Sequence, residues 1–389
     1  MNRVIINLEA LGENLRTIGN ILEGHGATWT VVTKVLCGHT ETLKALQYLG
    51  VRSMGDSRLD NLAAIERINP DLETWYLRVP DKSSINRVIG LADVSLNSEI
   101  EVIKMLNDEA RRQNKMHRVI IMIELGDLRE GILPGSLVKF YQDVFELSNI
   151  EVLGIGANIG CLAGAVPNID QFTQLILYRE LLELKFGRRL PMISAGSTIV
   201  LPMLRENNLP RAISHFRIGE AIFLGTDLIN DGTLEGLRDD VILLETEIAE
   251  IKEKGLKPLV ETGSVQPFQA EEPEDNTTPG QRGHRALVSV GQLDSDIGGL
   301  FPVDPRYRIA GASSDITVVN LGDNPEALKV GDAIRFRVNY SALLRLMSGK
   351  YVAKEVQPSL DAFRKATCDK HAPSRQFEVE PVIDTLDQS

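Results

Sequence analysis

Aromatic residues make up only 5% of the 389-residue chain, too few for the stacked platforms on which unpaired bases lie. Positive charge is also scarce. Lys and Arg number 42 against 54 Asp and Glu, a formal net charge of −12, whereas a phosphate backbone needs a basic face. No nucleic-acid partner is expected, although a small anionic ligand needs only local donors. The three cysteines, Cys37, Cys161 and Cys368, are too few and too scattered for a disulfide framework or a zinc site. No apolar run approaches the roughly 18 residues of a membrane helix. The opening eight residues lack the charged-then-apolar layout of a secretory signal. A cytoplasmic protein without a membrane partner or a metal is the expectation.

What is present is ordinary in amount and regular in order. The hydrophobic fraction of 43% and charged fraction of 25% suit a globular protein, and the length favours two domains. Eight short apolar runs recur: 28–33, 51–54, 75–79, 92–96, 118–124, 151–155, 190–193 and 212–216. Helical patterns lie between them, as over 98–112, where Val102, Ile103, Leu106 and Ala110 share one face and Ser98 is placed to cap. Strands alternating with helices imply parallel βαβ units. Eight of them suggest a closed (β/α)8 barrel of the TIM type over residues 8–235, though an open doubly wound sheet has the same alternation. After Gly225 the pattern becomes β-like with turns (241–251, 285–290, 316–321, 334–338 and 351–356). This reads as a mostly antiparallel β-domain over 236–356, with residues 1–7 available to pair with it. Residues 268–284 read as an exposed loop, and the tail 357–389 has little periodicity.

In such barrels chemistry collects where strands end, and several polar residues fall there. Lys34 follows the first apolar run, a position where lysines also simply reach out to solvent. The fifth run ends in Glu124-Leu125-Gly126-Asp127-Leu128-Arg129-Glu130-Gly131, the sixth in Gly154-Ile155-Gly156-Ala157-Asn158. Ser197 and Thr198 close the seventh, and Arg217-Ile218-Gly219-Glu220 follows the eighth. Hydroxyl and glycine residues at strand-to-helix turns serve as plain caps, and also as phosphate sites through backbone N–H groups. Joint placement, rather than any one motif, is what points to an anionic cofactor.

Together these segments resemble the alanine racemase-like enzymes that use pyridoxal phosphate (PLP; fold type III), and most closely the ornithine racemase-like branch, from about Arg3 to Val356. The residues that carry the likeness are Val32-Thr33-Lys34-Val35 with Cys37-Gly38, Leu125–Gly131, Asp56-Ser57-Arg58, Ser95–Glu99, Gly311–Asp315, Asn339-Tyr340 and Arg217–Glu220. The resemblance implies that Lys34 holds PLP as an internal aldimine and works as a base at the substrate Cα. It implies that Arg217 donates to the pyridine nitrogen, that Ser197, Thr198, Gly219, Glu220 and Tyr340 surround the phosphate, and that Arg129 and Asn158 line the cofactor. A head-to-tail homodimer and a small amino-acid substrate, basic or otherwise polar, come with it.

The chain also departs from the family. The catalytic tyrosine of the second domain is missing, since the matching segment reads Gly291-Gln292-Leu293-Asp294, and Gln292 stands where the branch has a basic residue. Asp315 is followed by Ile316 rather than His, and Ser197 occupies a usual asparagine position. Inversion needs proton delivery on both faces of Cα. Asp294, Asp296 and Asp315, from a neighbouring subunit, are the candidates for the second face or for a substrate's distal ammonium. Cys37 and Cys161 offer a thiol alternative, although cysteines more often pack. Two other readings share the cofactor site: a one-face enzyme such as a decarboxylase or lyase, and a non-catalytic PLP-homeostasis protein, which would not need a large second domain.

Overall fold

The computed structural model describes residues 2–160, 162, 164–256 and 280–368. Strand β1 (Arg3–Asn7) leads directly into the helix Leu8–His25, capped by the Asn7 side chain, which accepts from the Glu9 and Ala10 amides. Eight parallel strands then close on themselves: β2 (Thr28–Val32), β3 (Ser53–Asp56), β4 (Glu73–Tyr76), β5 (Val94–Asn97), β6 (His117–Met122), β7 (Ile150–Gly156), β8 (Met192–Gly196) and β9 (His215–Ile218). The closing pair is β2–β9, with Thr28 opposite His215 and Val31 opposite Ile218, so the open-sheet alternative is excluded.

Period-two alternation sorts each strand's side chains between two cores. Val119, Ile121 and Ile123 point outward to the helices, whereas Trp75, Leu77, Val94, Leu96, Ile120 and Met122 form a separate cluster inside the barrel. The interior is not uniformly apolar. On the side of β2, β3, β8 and β9 it holds Thr30, Ser53, Ser194, His215 and Arg217, of which all but Ser53 are buried.

The remaining strands build a second, mostly antiparallel sheet: β10 (Ile242–Gly255), β11 (Arg282–Val288), β12 (Leu300–Pro302), β13 (Arg308–Ala312), β14 (Thr317–Gly322), β15 (Ala333–Val338) and β16 (Ala353–Gln357). The long β10 organises it, pairing with β1 and β15 through its first half and with β11 through its second. β1 pairs with β10 and, in parallel, with β16, which ties the N-terminus to this sheet. Across β1, β10 and β15, Glu245, whose side chain is 10% exposed, joins Arg3 and Arg335 at 2.7 Å each.

Three local expectations need correction. The helix over Ile100–Arg112 is capped by Glu99, not Ser98, since the Glu99 side chain accepts from the Glu101 amide. Residues 282–284 belong to β11 rather than to the loop expected over 268–284, of which 268–279 lie outside the described residues. Beyond Val356 the chain does not lose structure at once. Leu360–Cys368 is a helix, and Phe363, buried, meets the Tyr48 ring edge-on at 6.1 Å.

Candidate active site

The strand ends of the barrel bring most of the singled-out residues to one rim. β2 gives way to a 3-10 turn, Lys34–Leu36, that carries Lys34 half-buried. The turn is anchored from beneath by Asp56 at the end of β3, which is fully buried. Its carboxylate accepts from Thr33 Oγ1 at 2.9 Å, the Arg58 amide at 2.9 Å and Asn61 Nδ2 at 3.1 Å. Burial pushes the Asp56 carboxyl up, against those three bonds and the nearby Lys34 charge. Sequence reasoning placed Asp56 in a family-like segment without a role; its function in holding the lysine turn appears only in three dimensions.

Gly219, at the end of β9, lies directly over the end of β2. A Cβ there would sit 2.9 Å from the Val32 carbonyl oxygen and 3.0 Å from Val32 Cβ, so only glycine lets the two strand ends meet. The helix Glu220–Leu224 begins at once, and the Ala221 amide donates to Thr198 Oγ1 at 3.1 Å. That bond joins the turn after β8 to the turn after β9. Ser197 precedes the 3-10 turn Thr198–Val200, but its side chain makes no cap bond. Burial raises the Glu220 carboxyl, opposed by a hydrogen bond from Thr226.

Arg217 crosses the rim from β9. Nη1 donates to the Ser194 carbonyl at 2.6 Å and to the Ser194 hydroxyl, while Nη2 donates to the Ala157 carbonyl at 2.9 Å and Asn158 Oδ1 at 2.7 Å. Asn158 passes the network on by donating through Nδ2 to Glu130, which is also ion-paired with Arg129. Arg129 thus folds back on its own neighbour. The loop carrying it is pinned by Glu124, whose carboxylate accepts from the amides of Gly126 (2.6 Å), Leu128 (3.1 Å) and Arg129 (3.2 Å). Glu130 and Ser194 are site residues that the sequence did not single out.

From the second sheet's side, the helix after β15 reaches the rim. The helix Tyr340–Ser348, capped by Asn339, packs on the Lys34–Leu36 turn and brings Tyr340 to that side. Ser341 donates to Asp296 at 2.6 Å, so Asp296 stands one side chain away from that helix. Asp294 and Asp315 do not join it. Asp294 accepts from the Gly291 amide at 3.1 Å, Asp315 accepts from Ser314 Oγ at 3.0 Å, and their two loops are stitched by the Gln292 and Leu293 amides. Among the described residues neither acid is bonded to the barrel rim. Cys37 is half-buried, its thiol pushed up by burial, which disfavours the reactive thiolate; Cys161 lies outside the described residues.

The rim therefore offers a lysine amine, an arginine held charged in a buried cage of acceptors, and a paired Thr/Gly turn with backbone donors. These groups complement an aldehyde, a ring acceptor and a phosphate, the three features of PLP. The alanine racemase N-terminal domain family matches residues 6–227. An ornithine racemase from Acetoanaerobium sticklandii is 35% identical over 359 residues, covering 91% of this chain and 99% of its own. A lysine racemase from Thermotoga maritima is 32% identical over 358 residues, covering 92% and 99%. In fold, the chain superposes with TM-score 0.67 on an alanine racemase from Bartonella henselae with covalently bound pyridoxal phosphate, at 15% identity and covering 91% and 99%. This chain belongs to the alanine racemase family, the PLP-dependent amino-acid racemases of fold type III. The resemblance read from Lys34, Arg217 and the Leu125–Gly131 loop is borne out at that level.

Proposed function

We propose that the chain racemises a basic amino acid with a side-chain ammonium, of the ornithine or lysine kind, with Lys34 carrying the cofactor. The observation that carries the reading is the convergence on one rim of Lys34, Arg217 and the Thr198–Gly219 turn pair. Its substrate class is supported by the names of the two relatives, an ornithine racemase and a lysine racemase.

PLP, when bound, supplies the electron sink that makes a substrate Cα–H acidic. Lys34, once its amine is released, takes or returns that proton on one face. Arg217 would hold the pyridine end of the cofactor with a fixed positive charge, and because arginine stays protonated it would donate to a ring nitrogen rather than give up a proton to it. Thr198 and the Gly219–Glu220 turn, with Ser197 and Tyr340, would hold the phosphate, and Asn158 and Arg129 would lie on the ring side. Asp56 orients the turn from which Lys34 projects.

The second face is served by Asp294 or Asp315 from a neighbouring subunit, whichever of the two does not bind the distal ammonium; Gln292 cannot titrate. Exposed apolar side chains flank both halves of the proposed head-to-tail contact. Leu128 is 77% exposed on the barrel rim, and Leu293 is 80% exposed beside Asp294, with Phe301 and Ile316 also exposed on the β-rich unit. Isolated apolar residues are common on surfaces, but Leu128 adjoins Arg129, and Leu293 and Ile316 adjoin Asp294 and Asp315. The division into a barrel unit over 8–235 and a β-rich unit over 236–356, and a cytoplasmic location, belong to the same proposal. Among the described residues no helix is long and apolar enough to cross a membrane.

The test is borohydride trapping followed by peptide mapping, alongside racemisation of both enantiomers of ornithine, lysine and alanine. The parent should yield a pyridoxyl group on Lys34 and interconvert a diamino acid faster than alanine. Lys34→Ala should trap nothing and lose about 100-fold or more in rate. A cofactor trapped elsewhere, or inversion confined to alanine, contradicts the reading.

A further inference from the structure

Arginine only donates hydrogen bonds, and that one-sidedness propagates through the barrel interior. The Ser194 oxygen facing Arg217 Nη1 accepts, so the Ser194 hydroxyl proton must go elsewhere. The group it meets is His215 Nδ1, 2.8 Å away. Donation to Nδ1 places the ring hydrogen on Nε2, which lies 3.1 Å from Thr30 Oγ1, and Thr30 is 2.8 Å from Ser53 Oγ. One direction of donation therefore runs from the arginine at the rim, through Ser194, His215 and Thr30, to the first residue of β3. The imidazole is held in plane by Trp75, stacked at 4.4 Å and 7°. A protonated His215 would offer Nδ1–H to the oxygen that the guanidinium already uses and add a second buried cation. Burial, with Arg217 close by, holds its pKa to about 3.

We propose that His215 is a positioning residue for Arg217: as a neutral Nε2–H imidazole it takes the Ser194 hydroxyl proton, turns the Ser194 oxygen toward the guanidinium, and so sets how the arginine meets the ring acceptor of PLP. The role rests on the proposed function above, in which Arg217 faces that acceptor. It is distinct from filling space, since Trp75 would stack equally on a phenyl ring.

The experiment measures PLP dissociation from the holoenzyme, and its absorption spectrum against pH, for the parent and four variants. His215→Asn keeps an acceptor near the Nδ1 position. His215→Gln puts its amide near Nε2 instead, His215→Phe keeps only the stacked ring, and Ser194→Ala removes the intervening hydroxyl with little change in volume. His215→Phe, His215→Gln and Ser194→Ala should bind PLP about tenfold or more weakly, because each misorients a buried bond to a charged group, and should shift the spectral pH profile. His215→Asn should recover most of both. The double variant Ser194→Ala with His215→Phe should be no weaker than Ser194→Ala alone, since both act through one hydroxyl. Equal losses in the Asn, Gln and Phe variants, or additive losses in the double variant, overturn the positioning role. Parent-like binding and spectra in His215→Phe overturn it while leaving a Lys34 adduct, and the functional reading, intact. A parent with no adduct on Lys34 overturns both.

Discussion

Two buried histidines on barrel strands, His215 facing the interior and His117 facing the surrounding helices, make the stability depend on pH in a calculable way. His117 and His215 are each 2% exposed, bonded to Ser95 Oγ at 2.8 Å and to Ser194 Oγ at 2.8 Å. Burial, with neighbouring cations, lowers their pKa values from 6.5 to about 4 and about 3. A histidine with a depressed folded pKa resists protonation that the unfolded chain accepts, so its full contribution is present above pH 6.5. That contribution is lost as pH falls from 6.5 towards the folded values. Between pH 7.5 and 5.0 each group forfeits about 1.5 pH units of linkage, or ~2 kcal/mol at ~1.4 kcal/mol per unit. The pair together amounts to ~4 kcal/mol, a large share of the ~5–15 kcal/mol typical of native proteins. Asp56 and Glu220, raised by burial, act with the opposite sign as pH falls toward them, so the comparison of variants is the decisive readout. Urea unfolding of the apo-protein at pH 7.5 and 5.0 should show a loss smaller by ~2 kcal/mol for His117→Gln or His215→Asn, and by ~4 kcal/mol for the double variant. A double variant that loses as much as the parent over this interval would refute the assignment of the acid sensitivity to these two rings.

Other substitutions probe the rim. Gly196→Ala would drive a methyl group into the buried Phe216 ring, and a destabilisation of ~1–3 kcal/mol is expected in the thermal midpoint; an unchanged midpoint would mean that β8 and β9 repack freely. Thr198→Val removes the acceptor of the Ala221 amide and should weaken PLP binding about tenfold, measured by fluorescence titration, with a smaller effect on thermal stability. If PLP affinity is unaffected, the β8 and β9 turns do not act together on the phosphate.

The barrel was legible because buried parallel strands read as short apolar runs on both faces, and all eight runs correspond to β2–β9 within a few residues. Strands β12 and β13 were not legible. β12 has three residues, β13 reads Arg-Ile-Ala-Gly-Ala, and neither shows a sustained alternation; their pairing with β15 and β14 decides them. The helix Leu360–Cys368 was missed for a similar reason, as its docking rests largely on Phe363 meeting Tyr48, distant in sequence.

By itself the sequence determined the strand-and-helix alternation, the change to an antiparallel pattern after the barrel, and the chemical types at the strand ends, Lys34 and Arg217 above all. These are local properties: apolar period, turn residues and functional groups travel with the chain. Tertiary structure alone decided which groups support them. Asp56 beneath the Lys34 turn and Glu130 between Arg129 and Asn158 lie in family-like segments that give them no role, and Ser194 and His215 behind Arg217 carry no local signature of a site. Thr30 and His215 are 185 residues apart and touch only because β2 and β9 close the barrel. Inside it a buried arginine must find acceptors, and those acceptors must place their own protons.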